Sequence, residues 1–128
     1  MASRVLVCDD EFHIRSVLAS ALRRAGYEVV ESRDGVEGGE LAVACRPDAI
    51  VTDLQMPRGS GLELCQKLSG DPSFARVPIV LLSARSHLVE ESAMLAVGIR
   101  RVVRKPFSAR EVVSIVDELL RGASGVAA

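Results

Sequence analysis

The stretch "RVLVCDDEFHIRSVLASALRRAGYEVVES", residues 4–32, contains the unit from which the whole fold is built. A short apolar run, Arg4–Cys8, is followed by apolar residues at helical spacing: Ile14, Val17, Leu18, Ala21, Leu22 and Ala25. Gly26 is a typical helix stop, and Glu28–Ser32 then has the composition of a second strand. The stretch therefore predicts a strand, a helix and a second strand in that order.

The same alternation continues along the chain. Strand-like runs occur at Arg4–Cys8, Glu28–Ser32, Ala49–Thr52, Ile79–Leu82 and Arg101–Arg104. Strands that alternate with helices predict a parallel sheet with right-handed crossovers and helices on both faces. The second and fifth runs are flanked by polar residues, which is typical of sheet edges, whereas the other runs are nearly all apolar. We therefore predict an α/β fold: a doubly wound (βα)5 unit with a five-stranded parallel sheet in the flavodoxin-like order 2-1-3-4-5.

The later helices are predicted with unequal support. The helix at Gly35–Cys45 is the weakest, because Gly38 and Gly39 inside it cost about 1 kcal/mol each relative to alanine. Two further helices are indicated by Leu62, Cys65 and Leu68, and by Leu88, Met94, Leu95 and Val97 with a stop at Gly98. The last helix is marked by Val112, Val113, Val116, Leu119 and Leu120, and it is predicted to end before Gly122.

Composition excludes several classes of function. A net charge of −1 leaves no basic surplus for nucleic-acid phosphates. The three cysteines have no close CxxC pair and are interpreted as reduced, buried small hydrophobic residues. No zinc-ligand spacing, secretory signal or membrane-length apolar run is present. These observations predict a cytoplasmic domain without a direct role for nucleic acid or membrane.

Charged and polar residues follow four of the predicted strands. Asp9 and Asp10 follow the first, Asp53 the third, Ser83 the fourth and Lys105 the fifth. Because ligands of open α/β sheets bind outside the carboxyl ends of the strands, we expect these side chains to share one site. Each has a simpler alternative as well: a helix N-cap for the acid pair or for Ser83, a loop cap for Asp53, and a solvated surface lysine.

The three carboxylates restrict the chemistry of such a site. Two carboxylates about 5 Å apart repel by roughly 3 kcal/mol at an effective dielectric constant of 20. A hard divalent cation relieves this repulsion, and Mg²⁺ suits a site with few carboxylates because it retains several waters. A cation, a lysine and a hydroxyl are also what a transferring phosphoryl group requires, and an aspartate is a known nucleophile for it. Glu11 is interpreted only as first-turn helix charge.

At these residues the sequence resembles the receiver domain of two-component response regulators. The resemblance rests on Asp9–Asp10, "DLQMP" (Asp53–Pro57) with Gly61, "LLSA" (Leu81–Ala84) and "KPF" (Lys105–Phe107). These motifs occur in the expected order, each at a strand end. The resemblance implies a receiver domain over residues 1–121, with residues 122–128 as a flexible tail or the start of a linker.

The resemblance also implies the role of each residue. Asp53 would be phosphorylated by a sensor histidine kinase or a histidine phosphotransfer protein. Mg²⁺ would be held by Asp10, Asp53 and the backbone carbonyl of Gln55, with Asp9 holding a metal-bound water. Ser83 and Lys105 would contact the phosphoryl group, and the Lys105–Pro106 bond would be cis. Such a domain catalyses only its own phosphorylation and dephosphorylation and signals to a downstream protein or output domain.

The sequence departs from the family at one switch position. Many receivers have an aromatic residue three positions before the lysine, but here that residue is Val102, so the usual aromatic switch is not expected. Dimerisation on phosphorylation is left open, and the basic stretch 98–105 is either a solvated edge strand or a docking surface for an acidic partner or domain. Arg85 and Gln55 are expected to set the lifetime of the phosphoaspartate by controlling access of water.

Two other functions are compatible with the same fold. Val102 is compatible with an interaction module that no longer uses phosphorylation. A phosphatase with an aspartyl nucleophile is less well supported, because that class requires a second acid two residues after the nucleophile, where this chain has Gln55. A flavodoxin function lacks both a hydroxyl-rich loop after the first strand and the aromatic residues that would sandwich a flavin.

Overall fold

The structure, a computed structural model, describes residues 2–83 and 96–125. In these ranges the chain forms strands β1–β5, helices α1–α4 and one 3₁₀ turn. Their bounds in chain order are β1 Arg4–Cys8, α1 Phe12–Arg24, β2 Glu28–Ser32, α2 Gly35–Cys45, β3 Ala49–Asp53, α3 Gly61–Ser69, the 3₁₀ turn Pro72–Phe74, β4 Ile79–Ser83, β5 Ile99–Arg104 and α4 Ala109–Gly125.

The strands form one parallel sheet in the order β2-β1-β3-β4-β5, which confirms the predicted fold and strand order. The central strands β3 and β4 are buried along their whole length, whereas β2 and β5 have exposed residues, as expected for edges. Apolar central strands gain the most from this position, because a parallel sheet is covered on both faces.

Each face of the sheet has its own aliphatic core. On one face α1 and α4 pack against the strands through Val5, Val7, Leu18, Leu22, Val112 and Val116. On the other face α2 and α3 do so through Leu6, Cys8, Ala42, Ile50, Leu64 and Leu68. Burial of each such Val or Leu side chain contributes about 1.5–3 kcal/mol to folding, so these two layers hold the strand ends in place.

Helix α2, the weakest prediction, forms because its glycines allow close packing. A Cβ atom on Gly38 would lie 3.0 Å from the Sγ of Cys8 and 3.3 Å from Leu64, and one on Gly39 would lie 3.2 Å from the Nζ of Lys67. The helix therefore sits closer to β1 and α3 than a chain with larger residues would permit. Tertiary packing thus offsets the low helix propensity of glycine.

Two boundaries differ from the predictions by more than one residue. Strand β5 begins at Ile99, two residues earlier than predicted, with an irregular register opposite Ile79 and Val80. Helix α4 continues to Gly125 rather than ending before Gly122. A Cβ on Gly122 would meet nothing within 4 Å, so this exposed glycine does not have to break the helix.

The predicted helix before Gly98 falls mostly outside the described residues. Ala96 is helical, and Gly98 has a φ of +88°, a conformation that glycine adopts readily, so the described end agrees with the predicted stop. Among residues 2–83 and 96–125, no helix combines the length and the apolar character needed to cross a membrane. All three cysteines are free, with Cys8 and Cys65 buried as predicted and Cys45 only partly so.

Candidate functional site

The predicted site residues lie at the carboxyl ends of neighbouring strands. Asp53 is the last residue of β3 and pairs in register with Leu82 of β4, so it lies beside Ser83, the last residue of β4. Lys105 directly follows β5, and its backbone N–H donates to the carbonyl of Ser83 at 2.8 Å. Asp9 directly follows β1. The sheet therefore brings these residues together at the carboxyl ends of its strands.

The three aspartates form one cluster. One carboxylate oxygen each from Asp9, Asp10 and Asp53 lies within 4.8 Å of the others. Asp9 and Asp53 are buried, whereas Asp10 is exposed. Oxygen ligands at such separations, two of them shielded from water, are suited to a hard cation.

Asp9 carries the clearest sign that the cluster suits a cation. The residue is fully buried, and its Oδ1 accepts the backbone N–H of Glu11 at 2.9 Å. Its Oδ2 is buried and accepts no hydrogen bond from any residue that the structure describes. Burial, then repulsion from Asp53 and Asp10, raises the pKa of Asp9 to about 6, although the Glu11 N–H and Lys105 oppose the shift. An unpartnered buried carboxylate oxygen beside two other acids fits a divalent ion.

The carboxylate of Asp53 is oriented by two contacts to one of its oxygens. Its Oδ1 accepts the backbone N–H of Leu54 at 3.0 Å and lies 3.4 Å from the Nζ of Lys105. Burial raises the pKa of Asp53, and the ammonium of Lys105 counteracts part of that rise. The carboxylate is thus fixed in direction and beside a positive charge, which is what a nucleophile toward an anionic phosphoryl group requires.

Lys105 is held by its own backbone as well as by its charge. Its side chain is mostly buried, and the Nζ lies 3.4 Å from Asp53 and 3.9 Å from the Oε1 of Glu11. The Lys105–Pro106 peptide bond is cis, which confirms the expectation from the family resemblance. The lysine is therefore not a solvated surface residue.

Gln55 lies in the loop between β3 and α3, two residues after Asp53 in the sequence, and is exposed. This loop turns sharply, since Arg58 and Gly59 have φ angles of 54° and 106°. Its ends are joined by a hydrogen bond from the Gly61 N–H to the carbonyl of Leu54 at 2.8 Å. A Cβ on Gly61 would lie 2.1 Å from the Asp53 carbonyl, so only glycine allows this close approach.

The interpretation of Glu11 as first-turn helix charge is wrong, and the N-cap alternative for the acid pair is not observed either. The N-cap is Glu11, without a side-chain capping bond, so Asp9 and Asp10 precede the helix rather than cap it. Glu11 approaches Lys105 from outside the cluster and so also belongs to the site. Its sequence neighbours gave no signal for this contact, because Lys105 reaches it only through the folded sheet.

Arg15 is a second residue that the sequence analysis missed. Its buried guanidinium donates to the carbonyl of Asp9 at 2.8 Å and to the Oε1 of Glu31 at 3.3 Å. It also lies 5.5 Å from the centre of the Phe12 ring, a cation–π distance. Arg15 therefore ties the acid-bearing loop after β1 to the edge strand β2.

We expect Arg15→Ala to lower the free energy of unfolding by about 2 kcal/mol, because it removes the donor to the buried Asp9 carbonyl and leaves Glu31 with Arg23 as its remaining side-chain donor. Urea unfolding followed by circular dichroism measures the change. Arg33→Ala is the matched control, since Arg33 is 73% exposed and 3.8 Å from Glu37, and its loss should cost below about 0.5 kcal/mol. Equal effects of the two substitutions would contradict the bridging role of Arg15.

The region around the altered switch position is open and basic. Val102 is 38% exposed and pairs in register with Leu81, while Arg100 and Arg104 are exposed on the same edge strand. The guanidinium of Arg101 donates a hydrogen bond to the Oε1 of Glu118 in α4 at 2.6 Å. Arg85, the other residue expected to control water access, lies outside the described residues.

Comparisons with known proteins agree with one family throughout. The model of the "Response regulator receiver domain" matches residues 5–117. The response regulator MprA of Mycobacterium tuberculosis is 39% identical over 121 residues, covering 94% of this chain and 52% of MprA. MprA of Mycobacterium sp. (strain KMS) is 40% identical over 126 residues, covering 97% and 53%. The chain thus spans about half the length of these curated relatives.

Solved structures give the same result. The chemotaxis response regulator CheY4 of Vibrio cholerae superposes with a TM-score of 0.85 at 28% identity, covering 93% of this chain and 99% of that one. The response regulator TrrA of Thermotoga maritima, solved in complex with Mg²⁺ and BeF, has a TM-score of 0.80 at 31% identity, covering 91% and 98%.

Proposed function

Because the chain belongs to the response regulator receiver domain family of two-component systems, we propose that it is a switch controlled by phosphorylation of Asp53. The phosphodonor is a sensor histidine kinase, a histidine phosphotransfer protein or a small acyl phosphate. The observation that carries this proposal is the Asp53 carboxylate, which is oriented by Leu54 and Lys105 within a cluster of three acids.

Asp53 acts as the nucleophile toward phosphorus. The bond from an Asp53 oxygen to phosphorus forms as the phosphorus–nitrogen bond of the phosphohistidine breaks, and the proton needed by the leaving imidazole comes from solvent. Lys105 pairs with the phosphoryl oxygens, and Ser83, at the end of the adjacent strand, donates a hydrogen bond to them. Attack of water on the phosphoryl group later regenerates the carboxylate. The domain thus catalyses only its own phosphorylation and dephosphorylation.

Asp10, Asp53 and the backbone carbonyl of Gln55 would hold Mg²⁺, and Asp9 would orient a metal-bound water. The unpartnered Oδ2 of Asp9 supports a cation at this place. When bound, Mg²⁺ neutralises charge on the transferring phosphoryl oxygens. Gln55, being exposed beside Asp53, also limits the access of water to the phosphoaspartate.

The rest of the signalling path follows from the family. We assign residues 1–121 to the receiver domain and residues 122–128 to a C-terminal tail or the start of a linker, of which residues 122–125 continue helix α4. The partner upstream is the histidine phosphodonor, and the partner downstream is another protein or an output domain. The domain acts in the cytoplasm without touching nucleic acid or membrane itself, in keeping with its net charge of −1, and a phosphorylation-dependent homodimer is an open outcome.

Adduct formation tests the proposal. Incubation with Mg²⁺ and acetyl phosphate is expected to give a mass increase of one phosphoryl group, which a chelator prevents, and beryllofluoride with Mg²⁺ is expected to bind at the same place. Intact-mass spectrometry and amide chemical shifts measure the two. No adduct with any donor would favour an interaction module that does not use phosphorylation. Turnover of unrelated phosphate esters would favour a phosphatase.

A further inference from the structure

The loop that follows Asp53 is fastened to the start of helix α2. The Gly35 N–H donates to the carbonyl of Gly59 at 3.0 Å, and the Val36 N–H donates to the carbonyl of Arg58 at 3.1 Å. These two backbone hydrogen bonds, which we call the α2 clamp, use N–H groups that have no acceptor inside their own helix. The loop 54–60 is thereby held at its turn, Arg58 and Gly59.

The α2 side of the clamp is the rigid side. Gly38 and Ala42 are buried, and a Cβ on Gly38 would lie 3.0 Å from the Sγ of Cys8, so the helix is closely seated on β1. Asp34 fixes the first turn by accepting the Glu37 N–H at 2.7 Å. Because the helix has little room to move, a displacement at the clamp must be taken up by the loop.

The clamp tolerates no side chain at its centre. A Cβ on Gly35 would lie 2.3 Å from the carbonyl oxygen of Gly59, well inside van der Waals contact. Gly59 itself has a φ of +106°, which side-chain-bearing residues rarely adopt. The exposed Arg58 lies 3.7 Å from Asp34 and adds little, since such ion pairs are screened by water.

We propose that the α2 clamp positions the metal site, with Gly35 and Gly59 as positioning residues that act through the loop carrying the Gln55 carbonyl. Where its two ends meet, the Gly61 N–H to Leu54 bond fixes the loop beside Asp53; at its turn, Arg58 and Gly59, the clamp does so. With the joined ends and the turn both fixed, the carbonyl of Gln55 is held ready before a cation arrives. The inference rests on the proposed function for the metal role of Gln55.

Coupling of this kind is reciprocal. If the clamp favours the loop conformation that binds the cation, binding of the cation must strengthen the clamp by the same factor. The amide signals of Gly35 and Val36 are therefore expected to shift on Mg²⁺ addition and to exchange more slowly with solvent, although neither residue belongs to the carboxylate cluster.

Titration of the wild type and of the clamp variants with Mg²⁺, without any phosphodonor, tests the clamp. Amide chemical shifts in the NMR spectrum give the dissociation constant of Mg²⁺ for the wild type and for Gly35→Ala and Gly59→Ala. We expect both variants to bind Mg²⁺ about tenfold more weakly, the size typical of losing a contact that orients a metal ligand. Thermal unfolding of the same samples gives the stability.

Gly26→Ala is the matched control for backbone strain. Gly26 has a φ of +101°, close to that of Gly59, but nothing lies within 4 Å of its added Cβ and it is remote from the site. It should lower the unfolding temperature about as much as Gly59→Ala and leave the Mg²⁺ affinity at the wild-type value. If Gly35→Ala does not fold, Gly59→Ala against Gly26→Ala carries the comparison.

The outcomes separate the clamp from the proposed function. Wild-type Mg²⁺ affinity in folded Gly59→Ala, or an equal loss in Gly26→Ala, would overturn the clamp, as would a wild type that does not bind Mg²⁺. Weaker binding in the clamp variants only, together with shifts of the Gly35 and Val36 amides, would support it. A wild type that binds Mg²⁺ but accepts no phosphoryl group from any donor would refute the proposed function and leave the clamp standing.

Discussion

Asp53→Asn is expected to abolish phosphorylation of this protein. The amide has nearly the shape of the carboxylate but is a very poor nucleophile toward phosphorus. The contact with the Leu54 N–H can persist through the amide oxygen, so the loop after β3 keeps its anchor. Because burial raises the pKa of Asp53, replacing its charge by a neutral group should leave the metal-free fold as stable or more stable.

Acyl-phosphate labelling with intact-mass detection measures this effect, and no adduct above background is expected from Asp53→Asn. Asp71→Asn is a suitable control, because Asp71 is a partly exposed residue that caps the 3₁₀ turn through the Ser73 N–H, and asparagine can cap in the same way. This control should be labelled like the wild type. Full labelling of Asp53→Asn would place the acceptor on another residue and refute the assigned role.

Asp9→Asn is expected to have the second largest effect. It should raise the free energy of unfolding of the metal-free protein and weaken the binding of Mg²⁺. In the metal-free protein, burial and the neighbouring acids raise the pKa of Asp9 from 3.8 to about 6. At pH 7 the ionised Asp9 therefore destabilises the folded state, by about 2–3 kcal/mol at 1.4 kcal/mol per pKa unit. Asparagine removes that penalty but also a partner of the cation, so Mg²⁺ should bind at least about tenfold more weakly.

The pH dependence of the free energy of unfolding shows whether ionised Asp9 destabilises the fold. With a folded-state pKa raised above the unfolded value, Asp9 costs nothing below about pH 4, and its penalty grows until it is complete above about pH 6. Without Mg²⁺, the unfolding free energy of the wild type should thus fall between these values. In Asp9→Asn the free energy of unfolding should decrease much less over this pH range. A part of the decrease should remain, because the pKa of Asp53 is raised as well.

Urea unfolding at several pH values, with and without Mg²⁺, measures both effects. Asp71→Asn is again the control, since the pKa of Asp71 is lowered by its bonds to Ser73 and so its titration does not contribute to the fall between pH 4 and 6. Addition of Mg²⁺ should stabilise the wild type and release protons, because the bound cation favours ionised Asp9. An unchanged pH profile in Asp9→Asn would show that burial and the neighbouring acids do not raise the pKa of Asp9.

The weak prediction for helix α2 illustrates what sequence pattern leaves out. The glycines at 38 and 39 reduce helix propensity, yet they are the reason that α2 packs closely on Cys8 and Leu64. The end of α4 was mispredicted at Gly122 for the related reason that an exposed glycine weakens a helix without ending it. In both cases the neighbours of the glycine, not its type, decided the outcome.

The sequence by itself determined the strands, their order in the sheet, and the gathering of Asp9, Asp53, Ser83 and Lys105 at one edge. It could do so because strand burial follows from composition and because the carboxyl ends of parallel strands meet at the same edge. Only the tertiary structure decided that Asp9 Oδ2 has no partner, that Arg15 and Glu11 reach the site, and that Gly35 holds the loop behind Asp53. These contacts depend on side-chain direction and on backbone groups of distant segments, and neither leaves a pattern in the order of residues.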